Sequence, residues 1–340
     1  MIIPSTYGVA LLLTIISMIC WGSWANTQKL TGKWRFELYY FDYSFGVLLC
    51  AVIAGFTFGS MGDGLSMLDN LAVTGKKQIF WAALGGVVFN LANILLVAAI
   101  SVAGLAVAFP VGIGLALVIG VIWNYILNPQ ANPALLFAGV ALVTAAIVVD
   151  AWAYSAHASG RRNVEGGSKT PRSPVKGIAL SLAAGVLMGV FYPFVEMSKQ
   201  GEIGLGPYSV GLVFAVGVLL STFVFNFYFM NLPVQGPPVS FAEYFHGSGK
   251  QHLLGVAGGV IWCVGTLSNF VAASAPREVN VGPAVSYALG QGATMISALW
   301  GLLLWKEFAD ATQRVKMLLA LMLLLFVAGL GMVSVAPLVK

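Results

Sequence analysis

The chain has 340 residues, of which 59% are hydrophobic and only 9% are charged, and its mean hydropathy is +0.90. Charged residues make up about 25% of ordinary soluble domains, so this composition excludes a soluble globular protein and indicates an integral membrane protein. The formal net charge is +5, but the lysines and arginines lie in the loops between apolar segments. Membrane proteins commonly show this distribution, so no nucleic-acid partner is predicted.

Ten apolar segments of membrane-crossing length follow one another along the chain, and each is predicted to be a transmembrane helix in the lipid bilayer. The first is too long and too rich in tryptophan and asparagine for a cleaved signal peptide, so it is expected to stay in the mature protein. The fold class is therefore all-α, with ten transmembrane helices. The predicted spans 1 to 10 are residues 7–28, 39–61, 79–100, 102–127, 134–154, 176–196, 208–230, 252–273, 281–304 and 316–337.

Two long segments of the chain resemble each other at a fixed offset. Residues 85–127 align with residues 258–305 at an offset of 173 to 174, and residues 8–11 align loosely with residues 177–180. A self-match of this length marks a duplicated unit of about half the chain. In membrane proteins, a duplicated unit indicates a substrate path between the two copies.

The polar and basic segment 155–175 is the one clear linker, and it separates a five-helix repeat at 1–154 from a second one at 176–340. Twelve lysines and arginines lie in the loops on the linker's side of the membrane and five on the other side. Basic residues accumulate on the cytoplasmic side, so the linker is predicted to be cytoplasmic and both termini outside. Each repeat has an odd number of helices, so the second is predicted to run inverted relative to the first. The expected location is the cell membrane, or the inner membrane in a Gram-negative source.

Three other features of the sequence could indicate a nucleotide, cofactor or metal site, but none has the required pattern. Residues 166–170 resemble a phosphate loop, but the first glycine lies one residue too close and no strand precedes it. The three cysteines all fall inside apolar spans, where a thiol usually behaves as a small buried hydrophobic group. The three histidines lie in loops without the spacing of metal ligands. Neither a nucleotide, nor another cofactor, nor a metal ion is therefore predicted.

Amide and hydroxyl groups in the middle of apolar spans are costly unless neighbouring helices, water or a ligand satisfy them. Asn90 and Asn93 share one face of span 3 and align with Cys263 and Thr266 of span 8. The sequence is compatible with two roles for both asparagines: hydrogen bonding between helices, or lining a polar cavity. It is also compatible with two roles for the tryptophans of span 1: anchoring at the membrane interface, or contact with a ligand. The predicted substrate-binding residues are Trp21, Trp24, Asn26, Asn90, Asn93, Tyr192, Trp262, Thr266, Asn269, Tyr287 and Gln291.

Ionisable side chains near the apolar spans are rare, which makes each a candidate functional group. Asp42 begins span 2 among aromatic residues, where lost hydration favours its neutral form and the helix N-terminus favours its ionised form. If the effect of burial on Asp42 exceeds that of the helix N-terminus, Asp42 is predicted to carry a coupled proton. Glu196 is the next candidate. A surface ion pair with Lys199 is the alternative for Glu196, and a structural role is favoured for Glu307. The full set is Asp42, Asp150, Glu196, Arg277, Glu278 and Glu307.

Short motifs occur in a fixed order along the chain at 22–24, 41–43, Gly85 and Gly86 with Asn90 and Asn93, 124–127, 238–241 and 300–304. This ordered series resembles the plant ureide permease family and its microbial relatives. That family belongs to the drug/metabolite transporter superfamily, and the resemblance implies uptake of oxo-heterocycles such as allantoin, uracil and xanthine with protons. This chain departs from the plant pattern in its much shorter central linker and in residues 305–307, which replace the usual Gly-Glu end of span 9. The resemblance covers about residues 8–335.

The predicted site residues suit such substrates without deciding between substrate classes. Flat heterocycles rich in C=O and N–H groups bind to amides and aromatic faces. Sugars bind to the same groups, so a sugar porter of the same superfamily is the alternative. A membrane enzyme or a non-transporting receptor is a third possibility, but no nucleophile–base pair or metal-ligand cluster appears in a span, which disfavours an enzyme. The oligomeric state is not predicted.

Overall fold

The computed structural model describes residues 1–62, 64–103, 105–165, 174–234, 236–279 and 281–339, and no β-strand occurs within these ranges. Nine helices of this described part are long and apolar enough to cross a membrane. A tenth apolar helix lies at Leu105–Leu127. These helices confirm the predicted ten-helix membrane protein. The phosphate-loop-like residues 166–170 lie outside the described residues.

The spans lie close to their predicted positions, because each apolar segment is long enough to fix one helix. The largest difference is span 5, which continues as a helix to Glu165 and so includes the first part of the predicted linker. Residues 155–165 contain no proline, so nothing forces the helix to end at the apolar boundary. Spans 1 to 10 are Tyr7–Leu30, Phe36–Phe56, Lys76–Ala103, Leu105–Leu127, Pro133–Glu165, Pro174–Ser198, Pro207–Asn231, Gly249–Ala272, Pro283–Leu304 and Gln313–Val335.

Spans 1 and 9 are interrupted helices. Span 1 consists of Tyr7–Ser23 and the short helix Ala25–Leu30. Span 9 consists of Pro283–Gly290, Ala293–Leu299 and a final π-helical turn at Trp300–Leu304. Transporters commonly place discontinuous helices of this kind at their binding sites. A ligand-binding site is therefore expected between the two interruptions.

Loop contacts define the two ends of the helix bundle. At one end, Gln251 donates a hydrogen bond to the backbone oxygen of Thr31 at 3.3 Å. The helices on either side of the linker also meet the loops at this end, which is called the linker end below. At the opposite end, called the terminal end, the backbone nitrogen of Ile2 donates to the backbone oxygen of Phe58 at 2.9 Å.

The helix contacts keep the same pattern when each span is exchanged with the span five places along the chain. Span 3 packs on spans 6 and 7, and span 8 packs on spans 1 and 2. Span 6 also packs on span 4, and span 1 also packs on span 9. Spans 2 and 7, 4 and 9, and 5 and 10 contact each other directly. Two copies of one unit related by a two-fold axis would have this contact pattern.

Glycines at equivalent positions in the two halves allow close approach of helix backbones. A Cβ atom built on Gly86 would lie 2.1 Å from the backbone oxygen of Phe214 in span 7. A Cβ atom built on Gly259 would lie 1.9 Å from the backbone oxygen of Tyr43 in span 2. No side chain fits at either place, so these glycines hold span 3 against span 7 and span 8 against span 2 at short distance.

Candidate functional site: a cavity between the two halves

A cavity of about 380 Å³ lies between the two halves, beside the interruptions of spans 1 and 9, and extends toward the linker end. Its volume falls within the roughly 300–1,000 Å³ range of small-molecule sites. None of the described residues that line it carries a charge, so the cavity suits a neutral ligand. The aromatic lining residues are Trp21, Trp24, Phe36, Phe89, Phe191 and Trp262, and the polar ones are Gln28, Asn93, Gln291, Thr294 and Ser297.

Trp262 is the centre of the aromatic wall. Its ring stacks on Phe89 with 4.3 Å between centroids and lies nearly parallel to Trp21, with 6.3 Å between centroids. Phe214 is stacked against Trp262 at 6.0 Å. The indole nitrogen of Trp21 donates to Oγ1 of Thr266 at 3.0 Å, which fixes its ring plane. The wall therefore offers a flat aromatic surface that is already oriented before a ligand enters.

Three amide side chains line the cavity, and two of them, Asn93 and Gln291, were predicted from the sequence. Asn93 donates from Nδ2 to the hydroxyl of the buried Tyr40 at 3.0 Å, which holds the amide in one orientation. Gln291 is buried, with only 9% of its surface exposed, and its side chain makes no hydrogen bond within the described part of the chain. A buried amide normally finds partners, so Gln291 has donor and acceptor capacity left for a ligand.

A hydrogen-bonded network fills the space between the cavity and the terminal end. The hydroxyl of Tyr192 donates to Oδ1 of Asn269 at 2.6 Å. Asn269 donates in turn to Oγ of Ser17 at 3.2 Å and to the backbone oxygen of Ser286 at 3.0 Å. Tyr287 is fully buried and donates to a backbone oxygen of span 6 at 2.9 Å. The closely packed tyrosines and amide close the cavity on this side.

The structure places five of the eleven predicted substrate-binding residues in the cavity wall. These are Trp21, Trp24, Asn93, Trp262 and Gln291. Four more lie immediately behind the wall in the contacts just described. These are Tyr192, Thr266, Asn269 and Tyr287.

The remaining two predicted residues contact other helices. Asn90 donates from Nδ2 to Oγ of Ser221 at 2.8 Å and to Oγ1 of Thr222 at 3.1 Å, so it joins span 3 to span 7. Asn26 accepts a hydrogen bond from the indole nitrogen of Trp305 at 2.6 Å, which joins span 1 to the end of span 9. Of the two possibilities open for Asn90, its contacts favour hydrogen bonding between helices.

Asp42 lies outside the cavity in a cluster at the linker end. Its Oδ1 accepts from the hydroxyl of Tyr244 at 2.6 Å, and its Oδ2 lies 2.8 Å from Nδ1 of His252. Tyr244 belongs to the 3-10 helix Phe241–His246, and burial together with the Asp42 carboxylate raises the pKa of its phenol, which keeps it a donor. The cluster ties this helix and span 8 to the start of span 2.

Glu196 forms an ion pair with Lys199, with 2.5 Å between Oε1 and Nζ. Both side chains are largely buried, so the pair lies inside the protein near the terminal end and not on its surface. Neither Asp42 nor Glu196 lines the cavity. The proton-binding role expected for these two carboxyl groups stays a prediction.

Several residues of the cavity wall are not among the predicted site residues. Phe89 aligns with Trp262 at the offset of 173, so the internal duplication held a signal for it. Thr294 and Ser297 follow Gln291 at three-residue steps, which places them on one face of span 9. Met188 and Phe191 had no such signal, because apolar residues in an apolar span look alike in a sequence.

The profile of the ureide permease family matches residues 39–173 and 168–336 of the chain. The chain belongs to the ureide permease family. Ureide permease 2 of Arabidopsis thaliana is 22% identical over 402 aligned residues, which cover 97% of this chain and 98% of the relative. Ureide permease 5 of the same plant is 24% identical over 394 residues, which cover 96% of this chain and 93% of the relative.

Two further proteins are similar to this member of the ureide permease family. Transmembrane protein 144 homolog B of Dictyostelium discoideum is 26% identical over 170 residues, which cover 49% of this chain and 42% of that protein. A crystal structure of a protein with 20% sequence identity superimposes with a TM-score of 0.62 and covers 96% of each chain, which shows a common fold. The permease family and the apolar helices together identify a multi-pass membrane protein of a transporter family.

Proposed function

We propose that this chain transports small neutral oxo-heterocycles, with ureides such as allantoin as the first class and nucleobases such as uracil or xanthine as the second. The observation that carries the proposal is a cavity whose described lining residues are uncharged and combine the aromatic wall at Trp262 with the amides of Asn93 and Gln291. A flat heterocycle can stack on the wall and exchange hydrogen bonds with the amides. Family relatives named ureide permeases support the same class.

The proposed mechanism is alternating access between two inverted repeats of five helices, coupled to protons. The symmetric helix contacts and the paired glycines support a duplicated unit whose halves can exchange roles. The cavity extends to the linker end, whereas the Tyr192–Asn269 network closes it toward the terminal end. In the alternative state, the Tyr192–Asn269 network opens and the linker end closes.

Competition for uptake tests the substrate class. In proteoliposomes that take up radiolabelled allantoin, unlabelled uracil and xanthine are expected to compete, whereas pentoses and hexoses are not. Allantoate, the ionised ring-opened relative of allantoin, is the matched control for charge. It is expected to compete poorly because no described lining residue supplies a positive charge. Competition by hexoses without competition by heterocycles would favour the sugar-porter alternative.

Cysteine labelling tests the orientation, with both termini proposed to be outside and the linker inside. A single cysteine is placed at Ser168 or after residue 340 in a protein whose three native cysteines are replaced by alanine. Ser168 lies outside the described residues, but the basic residues near it predict a cytoplasmic position. The terminal cysteine is expected to react with an impermeant thiol reagent on intact cells, and Ser168→Cys only after permeabilisation. The reverse labelling result would show that the termini are inside and the linker is outside.

A further inference from the structure

Asp150 in span 5 is a buried carboxyl group with an unpartnered oxygen. It is 4% exposed, and its Oδ1 has no hydrogen-bond partner among the described residues. Asp42 and Glu196 are also buried, but each is held by a basic partner, His252 and Lys199 respectively. An ionised carboxylate that is buried without a partner is strongly unfavourable, and protonation removes the charge. Asp150 is therefore the one of these three carboxyl groups whose surroundings favour a bound proton.

Polar side chains connect Asp150 to the linker end. Tyr154 follows one helical turn later on the same face of span 5, and its hydroxyl donates to Oε2 of Glu307 at 3.4 Å. His157 follows on the same face and donates from Nε2 to the backbone oxygen of Glu307 at 2.8 Å. Glu307 forms an ion pair with Lys29, and its side chain is 33% exposed. The series Asp150, Tyr154 and Glu307 therefore leads from the interior to solvent.

The helices that pack against span 5 have few titratable side chains at the same depth in the membrane as Asp150. Span 10 is apolar over residues 317–326, and span 4 has no titratable side chain before Tyr125. Arg314 and Lys316, at the start of span 10, are exposed to solvent. Within the described residues, no cation is placed to keep Asp150 ionised. Among the described side chains, the titratable groups near the end of this series include Lys29, Tyr154, His157, Lys306, Glu307, Asp310, Arg314 and Lys316.

Span 9 connects this polar series to the cavity. A Cβ atom built on Gly301 would lie 3.2 Å from the hydroxyl of Tyr154 and 3.0 Å from Oε2 of Glu307. One and two turns earlier, the same span contributes Ser297 and Thr294 to the cavity wall. The Tyr154–Glu307 end of the polar series therefore lies against the helix that lines the cavity. This arrangement provides a physical route from proton binding to substrate access.

We propose that Asp150 is the carboxyl group that binds the coupled proton, and that it exchanges this proton with the linker end through Tyr154 and Glu307. The chemical step is protonation of one carboxylate oxygen, with no other bond formed or broken. The inference rests on the proposed transport function and assigns coupling to Asp150 instead of Asp42 or Glu196.

Substitution of Asp150 by asparagine separates proton coupling from transport. In proteoliposomes, Asp150→Asn is expected to exchange labelled allantoin across the membrane at equal pH at about the wild-type rate. Accumulation driven by a pH gradient is expected to fall to the equilibrium level, because the variant can bind and carry substrate but not the proton. Asp150→Glu restores a carboxyl group and is expected to recover part of the accumulation. Wild-type accumulation in Asp150→Asn would overturn the inference.

Asp42→Asn and Glu196→Gln are the matched comparisons, with uptake scaled to the amount of folded protein. Both are expected to keep gradient-driven accumulation, since each of these carboxylates is already occupied by a basic partner. Loss of accumulation in either variant, together with its retention in Asp150→Asn, would assign the proton to that residue.

Infrared spectroscopy detects whether the Asp150 carboxyl group is protonated, and the measurement needs no substrate. The purified wild-type protein is expected to show the C=O stretch of a protonated carboxyl group that is missing in Asp150→Asn. Identical spectra over the whole pH range would overturn the inference even where uptake is normal. Absence of allantoin exchange in the wild type would instead contradict the proposed substrate, and the infrared result would still decide the role of Asp150.

Discussion

Trp262→Ala is expected to abolish measurable uptake at substrate concentrations below saturation. Trp262 holds the aromatic wall together, since Phe89, Trp21 and Phe214 all stack against its indole ring. Stacking of an aromatic side chain on a flat base is typically worth about 1–3 kcal/mol, or about 5- to 150-fold in affinity. The loss is expected to reach the upper part of this range, because the neighbouring rings also lose the partner that orients them.

The control variants separate the loss of a ligand contact from the loss of stability. Truncating a buried tryptophan to alanine can cost about 3–5 kcal/mol of folding free energy, so uptake must be compared per amount of folded protein. Trp262→Phe keeps an aromatic face and is expected to retain part of the uptake. Gln291→Leu keeps the volume and removes an amide without a described partner, so it should raise the KM with little change in stability. Normal uptake by Trp262→Ala and Gln291→Leu together would show that the cavity is not the substrate site.

The positions of the helices could be predicted from the sequence, because the length of an apolar segment sets the length of a membrane helix. The interruptions of spans 1 and 9 could not. Gly290 and Gly292 are compatible with a continuous helix as well as with a break, and the break lies where span 9 approaches Trp21 and Met18 of span 1 closely. In span 1, the short helix Ala25–Leu30 is fixed by the contact of Asn26 with Trp305, which is 279 residues away in the chain.

Asn90 and Asn93 show that the sequence alone does not predict which residues of a buried helix face the cavity. Both asparagines lie on one side of span 3, but Asn90 contacts span 7 and Asn93 lines the cavity. Span 3 is surrounded by other helices, so its rotation cannot be read from an apolar stripe. Likewise, the partner of Asp42 is His252 in the first turn of span 8, and the sequence alone does not show that this turn lies near the start of span 2.

Gly259→Ala and Gly86→Ala are expected to destabilise the protein by similar amounts. The added Cβ would lie 1.9 Å from a backbone oxygen of span 2 in the first variant and 2.1 Å from one of span 7 in the second. A backbone oxygen cannot move aside without its helix, and overpacking of this kind costs about 1–3 kcal/mol or more. Alanine is the better helix former by about 1 kcal/mol, but this gain does not compensate for so short a contact. Thermal unfolding in detergent, followed by size-exclusion chromatography, measures the loss.

Gly331→Ala in span 10 is the matched control, because a Cβ atom built there has no other heavy atom within 4 Å apart from its own helix and chain neighbours. This variant gains the same helix propensity without a clash, so its melting temperature is expected to stay equal or rise. The comparison between Gly86 and Gly259 also tests the proposed repeats. Two halves related by a two-fold axis use these glycines for the same contact, so their substitution should have matching effects on stability and uptake. A protein that tolerates alanine at Gly86 but not at Gly259 would have halves that pack differently, which would contradict an exchange of roles during transport.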